Sequence, residues 1–183
     1  VQSHYFIGIK MPISIEEQVE AFRDQYQLRS HYKVIPHVED LHITLYFLGS
    51  VNDNDLPALQ QRLASIAEQH SAFTLRLNEL SFFGSASGPR VVYIAADENN
   101  LLTALQKEIA QSVTKQLQLQ PDNRFTPHVT IAKKKKSQDK HPVQKETMEP
   151  INIPVDAFSL FKIEPQQTPK YKAIATFTLK TKS

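Results

Sequence analysis

Two short stretches of this chain set a histidine and a threonine two positions apart between apolar residues: "LHITL" at 41–45 and "PHVTIA" at 127–132. Side chains alternate faces along a strand, so residues i and i+2 point the same way about 7 Å apart. His42 and Thr44 therefore share one face, and Leu41, Ile43 and Leu45 the other. His128 and Thr130 likewise share a face opposed by Val129 and Ile131. With seven His and eleven Thr in the chain, roughly 0.07 such strands are expected by chance, so the doubling carries information.

An imidazole has an unperturbed pKa of about 6.5, close enough to neutrality to act as base or acid. A pair can divide that work, one neutral and one charged. Phosphoryl transfer asks for the attacking and leaving oxygens to lie roughly in line. Two imidazoles on facing strands, either side of a phosphorus, meet that demand, and a threonine hydroxyl beside each can donate to a non-bridging oxygen. A catalytic zinc site needs a third protein ligand, and no carboxylate recurs at matching positions in the two stretches. There is no glycine-rich phosphate loop in a chain with four glycines. Neither a metal nor a cofactor is expected.

The composition narrows the class. The chain has 183 residues, 40% of them apolar, and no cysteine. Disulfides and thiol catalysis are excluded, and a reducing compartment is expected. No apolar run reaches the length of a membrane span, and "VQSHYFIGIK" lacks the pattern of a secretory signal. These features predict a cytoplasmic monomer with no membrane partner. Pro121 to Lys145 holds seven Lys/Arg against two Asp, a net +5 that leaves −3 for the rest. Such a patch suits an anionic partner, although lysine-rich loops are commonly just solvated.

The elements that must position these residues follow from periodicity. Alternation around Phe6, Ile7 and Ile9 predicts an opening strand ended by Pro12. Ser14 and Glu17 read as a capping box for a helix with Ile15, Val19, Phe22 and Tyr26 on its apolar face. "YKVI" before Pro36 and residues 41–48 read as strands. A helix is predicted over 55–69, then strands at 73–83 and 90–96 joined by "GSASGP". Leu101, Leu102, Leu105, Ile109, Val113 and Leu117 place a helix over 99–118. Strands follow at 126–132, 151–163 and 171–180, with 133–150 expected as a mobile loop. Alternating rather than all-apolar strands favour an α+β fold of antiparallel sheet with helices on one face. Each half leads a long helix into a His-x-Thr strand, a weak duplication that predicts two lobes in one folding unit, a single domain over 1–183.

At these residues the sequence resembles a known family. "HITLYFLG" and "PHVTIAK", 86 positions apart, are similar to the paired signatures of the 2H phosphoesterase superfamily. Within it they resemble the bacterial RNA 2′,3′-cyclic phosphodiesterases, also called 2′-5′ RNA ligases. "HYFIGIKMP" resembles the family's first strand and "FSLFKIEPQQTPKYKAIATFTL" its last. The resemblance implies two pseudo-symmetric lobes, each an antiparallel sheet with helices on its outer face, and a central cleft. It implies metal-independent hydrolysis of 2′,3′-cyclic phosphates to 2′-phosphomonoesters, with reverse 2′-5′ ligation in principle, on RNA ends or nucleoside 2′,3′-cyclic phosphates. By position, His42 is then the proton donor to the leaving oxygen and His128 the proton acceptor; the residues alone are symmetric about that choice. Thr44 and Thr130 hold the phosphate. The family often carries Arg five residues after the second His, where this chain has Lys133, which keeps the charge but loses the bidentate fork.

Phe125 and Tyr171 are further candidates to stack on a base, against the competing expectation of core packing. His4 on the first strand can approach the cleft, while His31, His37, His70 and His141 read as surface. Glu39 and Asp40, just before the first motif, can orient an imidazole, against the default expectation of a solvated loop. A non-catalytic nucleotide-binding module, or the same chemistry on another cyclic nucleotide or an ADP-ribose cyclic phosphate, fits the motifs too, because the motifs touch only phosphate.

Overall fold

A computed structural model describes residues 2–122 and 124–181. The first strand, β1 (His4–Lys10), is followed by α1 (Glu16–Gln25), α2 (Leu28–His31), β2 (Tyr32–Val34) and β3 (His42–Ser50). Next come α3 (Leu56–Gln69), β4 (Phe73–Phe83), β5 (Val91–Ala96) and α4 (Asn100–Leu117). The chain ends with β6 (His128–Lys135), β7 (Glu146–Val155), β8 (Ala157–Ile163) and β9 (Tyr171–Thr178).

The strands pair in the order β7-β4-β5-β6-β3-β1-β8-β9, with β2 also on β6. All of these pairings are antiparallel. At the centre, β3 and β6 share one residue pair, Ile43 with Val129. That narrow seam divides the sheet into two similar halves, β3-β1-β8-β9 and β6-β5-β4-β7. Helix α4 packs on β3 and α1 on β6, so each of these two helices covers the motif strand of the other half. The apolar side of both motif strands lies in the core: Ile43, Leu45, Val129 and Ile131 are buried. This is the expected α+β architecture, with helices on the outer face and the His-x-Thr pairs on the other.

Several expectations need correction. No side-chain cap forms at the start of α1; Ser14 lies in a 3₁₀ turn, Ile13–Ile15, that leads into the helix. Leu101 is 44% exposed, because it falls in the first turn of α4, outside the stripe of Leu102, Leu105, Ile109 and Val113. The strand expected over 151–163 is two strands, β7 and β8, which lie at different ends of the sheet order. The loop expected over 133–150 is shorter, since β6 runs on to Lys135 and β7 begins at Glu146. The remaining segment is tied down by Val143, which is buried, and by bonds from the His141 and Val143 amides to the Ser87 and Ala86 carbonyls.

Candidate active site

The register of the seam fixes the relation of the two motifs. Extending the Ile43–Val129 pair by one residue each way sets His42 across from Thr130, and Thr44 across from His128, all on the face opposite the core. The two imidazoles are held alike. His42 Nδ1 donates to the Asp40 carbonyl at 2.7 Å, and His128 Nδ1 donates to the Thr126 carbonyl at 2.6 Å. A donor at Nδ1 leaves Nε2 of a neutral ring as the acceptor. At His42 that acceptor takes the Thr44 hydroxyl at 2.8 Å.

Each ring also rests on two aromatics. Phe6 and Tyr171 flank His42 at centroid distances of 4.6 and 5.1 Å, and Phe83 and Tyr93 flank His128 at 5.1 Å each. These apolar walls set the electrostatics, because removing water disfavours the charged ring. Burial pushes His42 down to about 4; the positive charges of His128 and Lys133 add to this and the Asp40 carbonyl opposes it. Burial also lowers His128, against its bond to the Thr126 carbonyl. The free site at neutral pH therefore holds two neutral imidazoles.

Lys133 reaches this face only because β6 is irregular. It lies an odd number of residues after His128, so strict alternation would turn it toward the core. Tyr93 pairs with Thr130, but Val92 pairs with Ala132, leaving Ile131 as an extra residue. That bulge resets the alternation. Val91 and Tyr93 share a face of β5, so their partners Lys133 and Thr130 do too. The same irregularity occurs in β3, where Gly8 pairs with Thr44 and Ile7 with Tyr46, leaving Leu45 extra. It places Phe47, opposite Phe6, on the histidine face, where the residue is 57% exposed and its ring makes a T-shaped contact with that of His4, centroids 6.4 Å apart. Phe47 thus stands to His42 as Lys133 stands to His128.

Asp40 is only 5% exposed. Its carbonyl orients His42, while its carboxylate accepts from the Lys170 and Tyr171 amides at 2.9 and 3.1 Å. One residue thereby fixes both the ring and the strand end that presents Tyr171 against it. Glu39 is exposed and takes no part. Phe125 is partly buried against the core and lines a cavity of about 980 Å³ beside α4 that contains neither imidazole. His31 stacks on His141 at 3.6 Å, and His70 pairs with Glu108 at 2.7 Å with its side chain 16% exposed, so neither is a free surface ring; His37 accepts from the Glu39 amide. Phe6, Phe83, Tyr93 and Phe47 escape a motif search; alternation through "HYFIGI" is the one feature that marks Phe6 as facing away from Ile7 and Ile9. No group of three or more His, Asp or Glu among the described residues is placed to hold a metal.

This fold and its doubled histidine face define a 2H phosphoesterase. Residues 11–167 match the family described as the 2′-5′ RNA ligase superfamily, and the chain belongs to it. It is 32% identical over 182 residues to the RNA 2′,3′-cyclic phosphodiesterase of Bacillus subtilis, covering 98% of each chain. It is 29% identical over 185 residues to that of Thermus thermophilus, covering 96% of this chain and 89% of the other. Among solved structures, Escherichia coli LigT complexed with 3′-AMP superposes with a TM-score of 0.78 at 21% identity, covering 98% of this chain and 99% of that one. Apo LigT gives 0.77 at 20% identity, with 98% of each chain covered.

Proposed function

We propose that the protein hydrolyses 2′,3′-cyclic phosphates at RNA ends to 2′-phosphomonoesters, without a metal. The observation that carries this reading is the seam register, which turns two imidazoles 86 positions apart onto one face of the sheet. In this reading His128 Nε2 takes a proton from water as the water oxygen attacks phosphorus. The bond from phosphorus to the 3′ oxygen breaks, and His42 Nε2–H protonates that oxygen. The 2′ ester remains. Thr44, now held by His42, and Thr130 donate to the non-bridging oxygens, and the Lys133 ammonium balances their charge.

His42 must gain a proton to act as the acid, yet burial holds it near 4 in the free protein. The phosphate supplies what is missing, since an anion beside the ring favours its charged form. The exposed ring of Phe47 and the ring of Tyr171 beside His42 offer the base aromatic surface to stack on. The relatives named as RNA 2′,3′-cyclic phosphodiesterases support the substrate class. Incubation with the four nucleoside 2′,3′-cyclic phosphates in EDTA tests the reading. A 2′-phosphomonoester is expected; strict metal dependence or a 3′-phosphomonoester refutes it.

A further inference from the structure

Beyond Lys133 lies a cavity of about 510 Å³ lined by Arg90, Lys133, Lys134, Lys135 and Lys140, with Ser87, Gly88, Ser137 and Gln138, and by no carboxylate. Regular alternation would send Lys134 away from its two neighbours. Its backbone instead takes the left-handed conformation, φ 62°, and all three successive lysines line one space. Lys135 runs over Gly88: a Cβ there would sit 2.7 Å from Lys135 Nζ, at the flexible end of that side chain. Burial and the charges of Lys134 and Lys170 lower the Lys133 ammonium, so an anion here would relieve crowded positive charge.

We propose that this cavity holds the phosphodiester next to the cyclic phosphate, so that ends of RNA chains are preferred over mononucleotides. This rests on the phosphodiesterase reading and names its substrate class. The test compares kcat/KM for a tetraribonucleotide ending in a 2′,3′-cyclic phosphate with that for the matching nucleoside 2′,3′-cyclic phosphate. The oligonucleotide should lead by about tenfold or more at low salt, the lead shrinking as salt rises. The variant Arg90→Gln/Lys134→Gln/Lys140→Gln should bring the ratio close to one. Equal rates in the wild type, or a lead that survives the triple variant, overturn the subsite. If neither substrate turns over, the phosphodiesterase reading fails. Fluorescence anisotropy with a tetranucleotide bearing a terminal 2′-phosphate then decides the subsite, which falls if the triple variant binds it as tightly as wild type.

A bulge leaves a residue unpaired in the ladder, and a buried carbonyl left so is costly. Arg23 of α1, itself buried, donates Nε to the Ile131 carbonyl at 3.1 Å and a terminal nitrogen to the Pro36 carbonyl at 2.8 Å. Gln106 of α4, also buried, donates Nε2 to the Leu45 carbonyl at 3.2 Å. The extra residue after each His-x-Thr is thus pinned by a polar side chain from the helix that crosses over from the other half. The geometry points to Arg23 and Gln106 as positioning residues that hold the bulges and so aim Lys133 and Phe47 at the site.

The NMR titration of His42 reads this out without substrate. Lys133 depresses His42, so Lys133→Met should raise the pKa of His42. Arg23→Met should raise it in the same direction, and the double variant should add nothing further. Arg23→Lys, which restores one donor, should return part of the shift. Independently, Gln106→Leu, which removes the donor without emptying the space, should weaken nucleotide binding as Phe47→Ala does, with the double variant no worse than either. A pKa for His42 that Arg23→Met leaves in place, or additive losses in both pairs, overturns the assignment.

Discussion

Ile43 and Val129 form the one backbone pair through which β3 joins β6. Both side chains point into the core, and both are fully buried. Their flanking residues must then face the other way, which is why His42, Thr44, His128 and Thr130 meet on one surface. The site is a by-product of where two half-sheets touch.

Gly8 lies beneath this surface, paired with Thr44. A Cβ there would stand 2.9 Å from the Ile43 carbonyl oxygen and 3.2 Å from the Phe6 ring, which itself supports His42. Gly8→Ala is expected to cost about 1–3 kcal/mol in stability by overpacking, and to lower kcat as the seam shifts. Urea denaturation with parallel rate measurements checks this; an unchanged midpoint contradicts it.

Asp40 holds two amides of the 170–171 segment through one carboxylate. Asp40→Ala strands both donors, at about 1–3 kcal/mol, and frees Tyr171 from its position against His42. Asp40→Asn keeps one acceptor and should lose less. Stability and KM measured on both variants should rank them in that order.

Stability should depend on pH through His42. Its folded pKa of about 4 lies below the 6.5 of the free side chain, so the unfolded chain binds the proton more readily. The stabilisation is complete above pH 6.5 and is lost as pH falls from 6.5 toward 4, by roughly 3 kcal/mol across that window. Denaturation midpoints at pH 7 and pH 4 should differ less in His42→Gln than in wild type. Equal differences contradict the burial of this ring.

The rate should respond as well. With both imidazoles lowered by burial, the singly protonated pair peaks on the acid side of 6.5, and kcat/KM should peak there. Bound phosphate raises both rings, so the optimum for kcat should lie at higher pH than that for kcat/KM. A kcat/KM maximum above pH 7 contradicts this.

Much of the site was legible in the sequence because its logic is local. Alternation in "LHITL" and "PHVTIA" suffices to face each His with its Thr and to bury Ile43 and Val129. Lys133 was found only through the family resemblance. Its aim depends on a bulge, and a bulge shows itself only against a partner strand. Phe47 was hidden for the same reason, since strict alternation turns it away from Thr44. The division of 151–163 has a weak local signal, Pro154 and Asp156, both disfavoured in strands, which the apolar residues on either side outweigh; the chain changes half-sheet at Asp156, between β7 and β8. Charge conceals the strand at Lys133–Lys135, because a run of lysines reads as a solvated loop.

The most direct test of the central claim is the hydrolysis rate of a nucleoside 2′,3′-cyclic phosphate by His42→Ala, His128→Ala and the double variant, each shown folded by circular dichroism. General acid and base groups contribute about 100- to 10,000-fold each, so each single variant should lose at least about 100-fold, with the double variant little worse than the weaker single. A folded double variant that turns over at the wild-type rate would contradict the account.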